Sequence, residues 1–202
     1  MVVVNFGEKR LERKVREQEV YLECLIKECV SKYSQCNLIK LLHYANWLEN
    51  ISPSNPFIHL ADGVMYAKTI GPSRSYAKSV KHLNLFLKSY PLDEDAVWWR
   101  LDSATNLARE RYNTYFLSKI AREAVRFFPE NIWILSAAHN AYHNGVQDIR
   151  EAMKVGTRIL RLDPFDEQMR RYVSNYRRLL VEDEKPSNLV ILRGVSFDSK
   201  EY

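Results

Sequence analysis

The chain has 202 residues, 46% of them hydrophobic and 12% aromatic, and 30 Lys+Arg against 25 Asp+Glu leave a net charge of +5. That size suits one domain with a sizeable core, and that apolar content excludes a disordered chain. With only 6 Gly and 7 Pro, a turn-dense β-sandwich and a low-complexity linker are excluded as well.

The opening Met1-Val2-Val3-Val4 is cut short by Asn5, Gly7, Glu8, Lys9 and Arg10, so no secretory leader is expected. No apolar stretch approaches the roughly 18–20 residues that a membrane-spanning helix needs. Residues 8–32 then read as a long amphipathic helix, with Val15, Val20, Leu22, Leu25, Ile26 and Val30 as its apolar positions. The three cysteines Cys24, Cys29 and Cys36 are odd in number and have no His beside them. Spacings of five and seven put Cys24 on a different helix face from the other two. Unpaired thiols in a reducing, cytoplasmic or nucleo-cytoplasmic compartment are expected, rather than a disulfide or a zinc site. Residues 37–50 form a second amphipathic run through Leu38, Leu41, Leu42, Ala45 and Leu48.

A helix-ending proline then recurs. Ser52-Pro53, Tyr90-Pro91, Phe128-Pro129 and Asp163-Pro164 are spaced by 38, 38 and 35 residues. Proline removes a backbone donor and restricts the residue before it, so it ends one helix and is tolerated at the start of the next. A period in the mid-thirties with such a junction signals stacked helix pairs. Twelve residues before the later prolines stand Ser79, Leu117 and Ala152, and five before them Phe86, Ala124 and Ile159. These positions fall in the second helix of each pair. The third unit runs Trp133-Ile134-Leu135, Asn140-Ala141-Tyr142, Gly145, Glu151-Ala152-Met153 and Leu162-Asp163-Pro164.

In that order of residues the chain resembles the tetratricopeptide repeat family over residues 53–182. Gly63 and Tyr66 take the small and aromatic positions of the first unit, and Trp98 and Leu101 those of the second. His139 stands at the small position of the third. Extra residues fall near Gly71-Pro72-Ser73 and Ala108-Arg109-Glu110-Arg111. The resemblance implies an all-α fold: a right-handed solenoid of antiparallel helix pairs, with about nine helices. Residues 1–182 are expected to form one helical-repeat domain. It comprises an N-terminal helix pair (1–52), three units (53–164) and a capping helix (165–182). The tail, 183–202, carries the apolar run Asn188-Leu189-Val190-Ile191-Leu192, which either lies on the chain's own surface or contacts a partner.

Catalytic patterns are missing from the sequence: it holds no phosphate loop, no Gly-x-Ser-x-Gly elbow and no His-Glu-x-x-His helix. His139 and His143 are spaced to face one metal, but no third ligand is visible, and they read as one packed and one surface histidine. Asp93, Glu94 and Asp95 read as favourable negative charge at a helix start. No enzyme activity, cofactor or metal is expected.

The resemblance implies a concave groove lined by the first helix of each pair. Its positions are Phe57, Leu60, Val64 and Lys68; Trp99, Ser103 and Asn106; and Trp133, Ser136, Asn140 and His143. Asn amides can bond an extended peptide backbone, and aromatics supply contact area. Ser136 stands where a carboxylate-clamping member would carry Lys, so a clamp for a C-terminal carboxylate is not expected. Arg150, Lys154, Arg158 and Arg161 share one helix face, and Arg170, Arg171, Arg177 and Arg178 follow. With Phe165, Tyr172 and Tyr176 nearby, this basic face is an alternative contact for nucleic acid. The expected function is a non-enzymatic adaptor that holds a protein partner, as a subunit of a larger complex. A nucleic-acid-associated scaffold is the alternative.

Overall fold

The computed structural model describes residues 6–31, 37–69, 75–111 and 114–184; Cys36, the segment around Pro72 and the tail from residue 185 on fall outside them. The described residues are helical, and no strand occurs among them. The helices are α1 (Phe6–Ser31), α2 (Leu38–Ile51), α3 (Pro56–Lys68), α4 (Tyr76–Ser89) and α5 (Glu94–Arg111). They are followed by α6 (Tyr115–Phe127), α7 (Ile132–Asn140), α8 (Ile149–Leu162) and α9 (Glu167–Glu184), with a π-helical turn, Ala141–Val146, extending α7. None of these helices is long and apolar enough to cross a membrane.

The proline period is realised as one turn built four times. The backbone N–H of Asn55, Asp93, Asn131 and Asp166 donates to the carbonyl of Ser52, Tyr90, Phe128 and Asp163, at 3.0, 3.1, 3.4 and 3.4 Å. Each proline holds the second position of that turn, where its fixed φ is an advantage. The Asn or Asp two residues later then caps the next helix. Its side-chain oxygen accepts from Phe57 N (3.0 Å), Ala96 N (2.9 Å), Ile134 N (3.1 Å) or Met169 N (2.8 Å). Sequence and local structure agree here for one reason: proline closes a helix and the Asx side chain opens the next.

Each helix packs against its chain neighbour, and the odd-numbered helices α1, α3, α5 and α7 also touch in succession. Leu60, Val64, Leu83, Phe86, Leu101, Leu117, Ile134 and Leu135 form one continuous apolar core between them. The approach of α3 to α4 depends on Gly63, because a Cβ there would lie 2.6 Å from Leu83 Cγ. Leu83 is fully buried and cannot step aside. Gly63→Ala is therefore expected to lower stability by about 1–3 kcal/mol, outweighing the roughly 1 kcal/mol that alanine's helix propensity contributes. Urea unfolding measures this; adding Leu83→Val should return part of the loss, and a Gly63→Ala protein more stable than wild type would contradict the tight contact.

The N-terminal helix does more than begin the stack. Leu22, Ile26 and Val30 line one stripe of α1 and are buried. Glu23 accepts a 2.7 Å hydrogen bond from Asn55 Nδ2, and the Trp99 indole N–H donates to the Val30 carbonyl at 3.3 Å. Lys27 Nζ meets Asp93 at 2.6 Å and Asp95 at 3.0 Å. Burial alone would lower the Lys27 pKa, but the bonds and charge of the two aspartates outweigh it and hold the ammonium above its ordinary value. α1 thus lies across α3 and the start of α5.

Candidate functional site

The expected groove divides in two. Phe57, Leu60, Val64, Trp99 and Ser103 are buried, so they are core residues and line no accessible surface. Phe57 packs edge-on to Phe86 and Tyr90, with ring centroids 5.3 and 5.2 Å away. Ser103 Oγ shares a 2.7 Å hydrogen bond with Ser79 Oγ, tying α5 to α4. Trp99 lies under the end of α1, with the Lys68 ammonium 5.1 Å from its ring centroid. The cause is close packing on two sides: α4 covers Phe57 and Ser103, and the end of α1 covers Trp99. Asn106 is half-buried, and its amide donates to the Asp102 carbonyl of its own helix at 2.9 Å.

The second half of the set stays accessible. Trp133 is 67% exposed, Asn140 is exposed, and Ser136 and His143 are half-buried. Ser136, Asn140 and His143 line a cleft of about 220 Å³ together with Asn144 of the π turn and with Asp166, Gln168 and Tyr172 at the start of α9. His143 and Asn144 also border a second hollow of about 520 Å³ beside Arg109, Thr114 and Gln147.

The site is shaped by local backbone. A π turn carries an extra residue per turn and re-aims side chains, a device often met at functional sites. It ends at Gln147, which is left-handed (φ 59°, ψ 30°), after which Asp148 caps α8 by accepting from Glu151 N at 3.0 Å. Gly145 stands two residues before that left-handed position. That glycine lets the π turn lie against Leu117, with which a Cβ would collide. On the other side Gly156 admits α9, since a Cβ there would sit 2.9 Å from both Met169 Sδ and Val173 Cγ2.

The floor of the cleft is a cluster of four rings. His139 stacks near-parallel to His143 (5.9 Å, 21°) and Tyr172 to Tyr176 (6.1 Å, 20°), while His143 meets Tyr172 edge-on at 5.2 Å. His139 is 5% exposed, and its Nε2 shares a 3.0 Å hydrogen bond with the Tyr176 hydroxyl. Burial first and His143 second push the His139 pKa down to about 4. Burial, then Tyr172, pushes the Tyr176 phenol up to about 12. At neutral pH both groups are uncharged and hold α9 against α7. They form a structural floor, above which Asn144 Nδ2 donates to Asn140 Oδ1 at 2.5 Å and Gln168 is exposed.

Arg150, Lys154, Arg161, Arg170, Arg171, Arg177 and Arg178 are exposed and Arg158 is half-buried. Part of this charge is spent locally. Lys154 pairs with Glu151, Arg171 reaches Glu167 at 3.8 Å, and the Arg170 guanidinium donates to the Pro164 carbonyl. Tyr176 is buried and Tyr172 is packed against histidines, so of the aromatics expected beside the arginines only Phe165 stands clear. Asn144, Asp166 and Gln168 were not among the expected groove positions, and α9 was expected only as a capping helix. Tyr172 and Tyr176, four apart on one helix face, were the available sign that α9 docks inward. Comparison with known proteins adds no relative: no family model matches the chain, and no curated protein or solved structure matches it.

Proposed function

We propose that the chain is a non-enzymatic scaffold of tetratricopeptide-like helix pairs, wound as a right-handed solenoid, that holds an extended segment of a protein partner in the α7–α9 cleft. Such a chain would serve as a subunit of a larger cytoplasmic or nucleo-cytoplasmic complex. The four repeated Pro–Asx turns and the succession of odd-numbered helices support the repeat architecture. The cleft itself carries the functional reading. At about 220 Å³ it is smaller than the roughly 300–1,000 Å³ of small-molecule sites. Asn144 Nδ2 donates to Asn140 Oδ1, which leaves the Asn140 amide N–H, the Asn144 amide oxygen and the Gln168 amide on the rim, donors and acceptors both, as a peptide backbone requires. The exposed Trp133 lies one helical turn before Ser136 and supplies apolar contact area at its edge.

The full chain used as bait, with and without nuclease and at two salt concentrations, tests this. The expected result is a stoichiometric protein partner that survives nuclease and high salt. The double variant Asn140→Ala/Gln168→Ala should retain it at least about 10-fold less well, since each amide contributes on the order of 1 kcal/mol. Capture that disappears with nuclease, falls steeply with salt and is lost in Arg177→Glu/Arg178→Glu would instead assign the function to the basic face and a nucleic-acid ligand.

A further inference from the structure

The tight seam between α3 and α4 carries a second site, remote from the α7–α9 cleft. His59 and Asp62 stand three apart on α3, immediately before Gly63, and His82 stands immediately before Leu83 on α4. The glycine that admits Leu83 therefore also brings the three polar side chains together. One ligand-type atom from each lies within 4.8 Å of the other two. His82 Nδ1 is 3.2 Å from Asp62 Oδ2, and the two imidazole rings meet edge-on at 5.3 Å.

Packing alone leaves this arrangement unsatisfied. Nδ1 of His59 and Nδ1 of His82 are both cut off from solvent and neither makes a hydrogen bond, the 3.2 Å approach to Asp62 being too oblique for one. An unpaired buried nitrogen costs about 1–3 kcal/mol. Glu49, on α2, adds negative potential at Asp62.

We propose that His59, Asp62 and His82 bind one divalent transition-metal cation, Zn²⁺ being the best match, and that the ion cross-links α3 to α4. Two imidazole nitrogens beside one carboxylate oxygen suit Zn²⁺, and the two nitrogens make the set a poor one for Ca²⁺ or Mg²⁺, which take oxygen throughout. Tetrahedral bonds of about 2.0–2.1 Å set ligand atoms about 3.3 Å apart. The Asp62–His82 edge already has that length, and side-chain rotation closes the others. A fourth coordination position stays open toward solvent, for Asp62 and His82 are each partly exposed.

The test uses the full chain, freed of metal with a chelator and held under reducing conditions, with Zn²⁺ and then Co²⁺ as probes. The expected result is one equivalent of Zn²⁺ bound, a thermal midpoint that rises with Zn²⁺, and a Co²⁺ spectrum of a tetrahedral site without thiolate charge transfer. His82→Gln and Asp62→Asn should each weaken Zn²⁺ at least about 100-fold and lose the thermal shift, while His139→Gln keeps both. Circular dichroism shows whether each variant is folded, and the Co²⁺ spectrum of the wild type gives a reading that no variant affects. A wild type that does not respond to Zn²⁺, an unchanged response in folded His82→Gln, or thiolate charge transfer from Cys24 or Cys29 would each overturn the assignment.

Discussion

Replacing Trp99 with alanine is expected to cost about 3–5 kcal/mol of folding stability, the range for removing a large aromatic from a packed core. Trp99 is 3% exposed, packs edge-on against Trp98 with centroids 5.0 Å apart, and donates its indole N–H to the Val30 carbonyl. Truncation opens a cavity beneath the end of α1 and leaves the Val30 carbonyl without this partner, so two penalties fall on one joint. Urea unfolding of the purified chain measures it. Trp133→Ala, at an exposed position, should shift the same transition by no more than about 1 kcal/mol. A loss of partner binding in Trp99→Ala would therefore report a damaged core and not a damaged groove. If Trp99→Ala costs less than about 1 kcal/mol, the end of α1 is not seated over Trp99.

Acid is expected to loosen the α7–α9 joint through His139. Its folded pKa of about 4 lies below the roughly 6.5 of an unfolded histidine, so between those values the unfolded chain binds more protons than the folded one. The contribution of His139 to stability is complete above about pH 6.5 and is lost as the pH falls toward 4. A gap of that size corresponds to at most about 3 kcal/mol. Because His139 is almost fully buried, solvent screening does little to reduce it. The groups facing it act in opposite senses, His143 adding to the depression and Asp166 opposing it. His139→Gln removes the titrating group, and the stability difference between pH 7 and pH 4.5 should then shrink by about 2 kcal/mol. His82, also depressed, contributes in the same direction to both proteins and cancels in the comparison. Equal pH dependence in wild type and His139→Gln would show that the histidine is not held neutral by the cluster.

Local rules made the helices legible. The proline at each junction and the Asn or Asp two residues later both act on the backbone next to them, so the positions could be counted along the chain. What could not be counted was the return of α1 across α3 and α5. Groove positions carried over from the repeat pattern assume a bare inner face. Trp99 lies inside beneath the end of α1, whereas Phe57 and Ser103 lie inside against Phe86, Tyr90 and Ser79 of α4 and the turn after it. The four-residue spacing of Leu22, Ile26 and Val30 on α1 was visible, but the docking site of that stripe depends on long-range packing. The π turn had no signature either, and its left-handed residue proved to be Gln147 although a glycine stood two places earlier. His59, Asp62 and His82 escaped notice because their meeting depends on how closely α3 approaches α4, which Gly63 sets and spacing along the chain does not show.

The cleft is tested most directly by placing a photo-crosslinking amino acid at Asn144, inside it, and at Ile39, exposed on α2, in otherwise identical full-length chains returned to cells. The expected result is a discrete protein adduct from position 144 that survives nuclease and does not form from position 39. An adduct pattern that is the same from both positions, or adducts from 144 that consist of nucleic acid, would contradict a partner-holding cleft between α7 and α9.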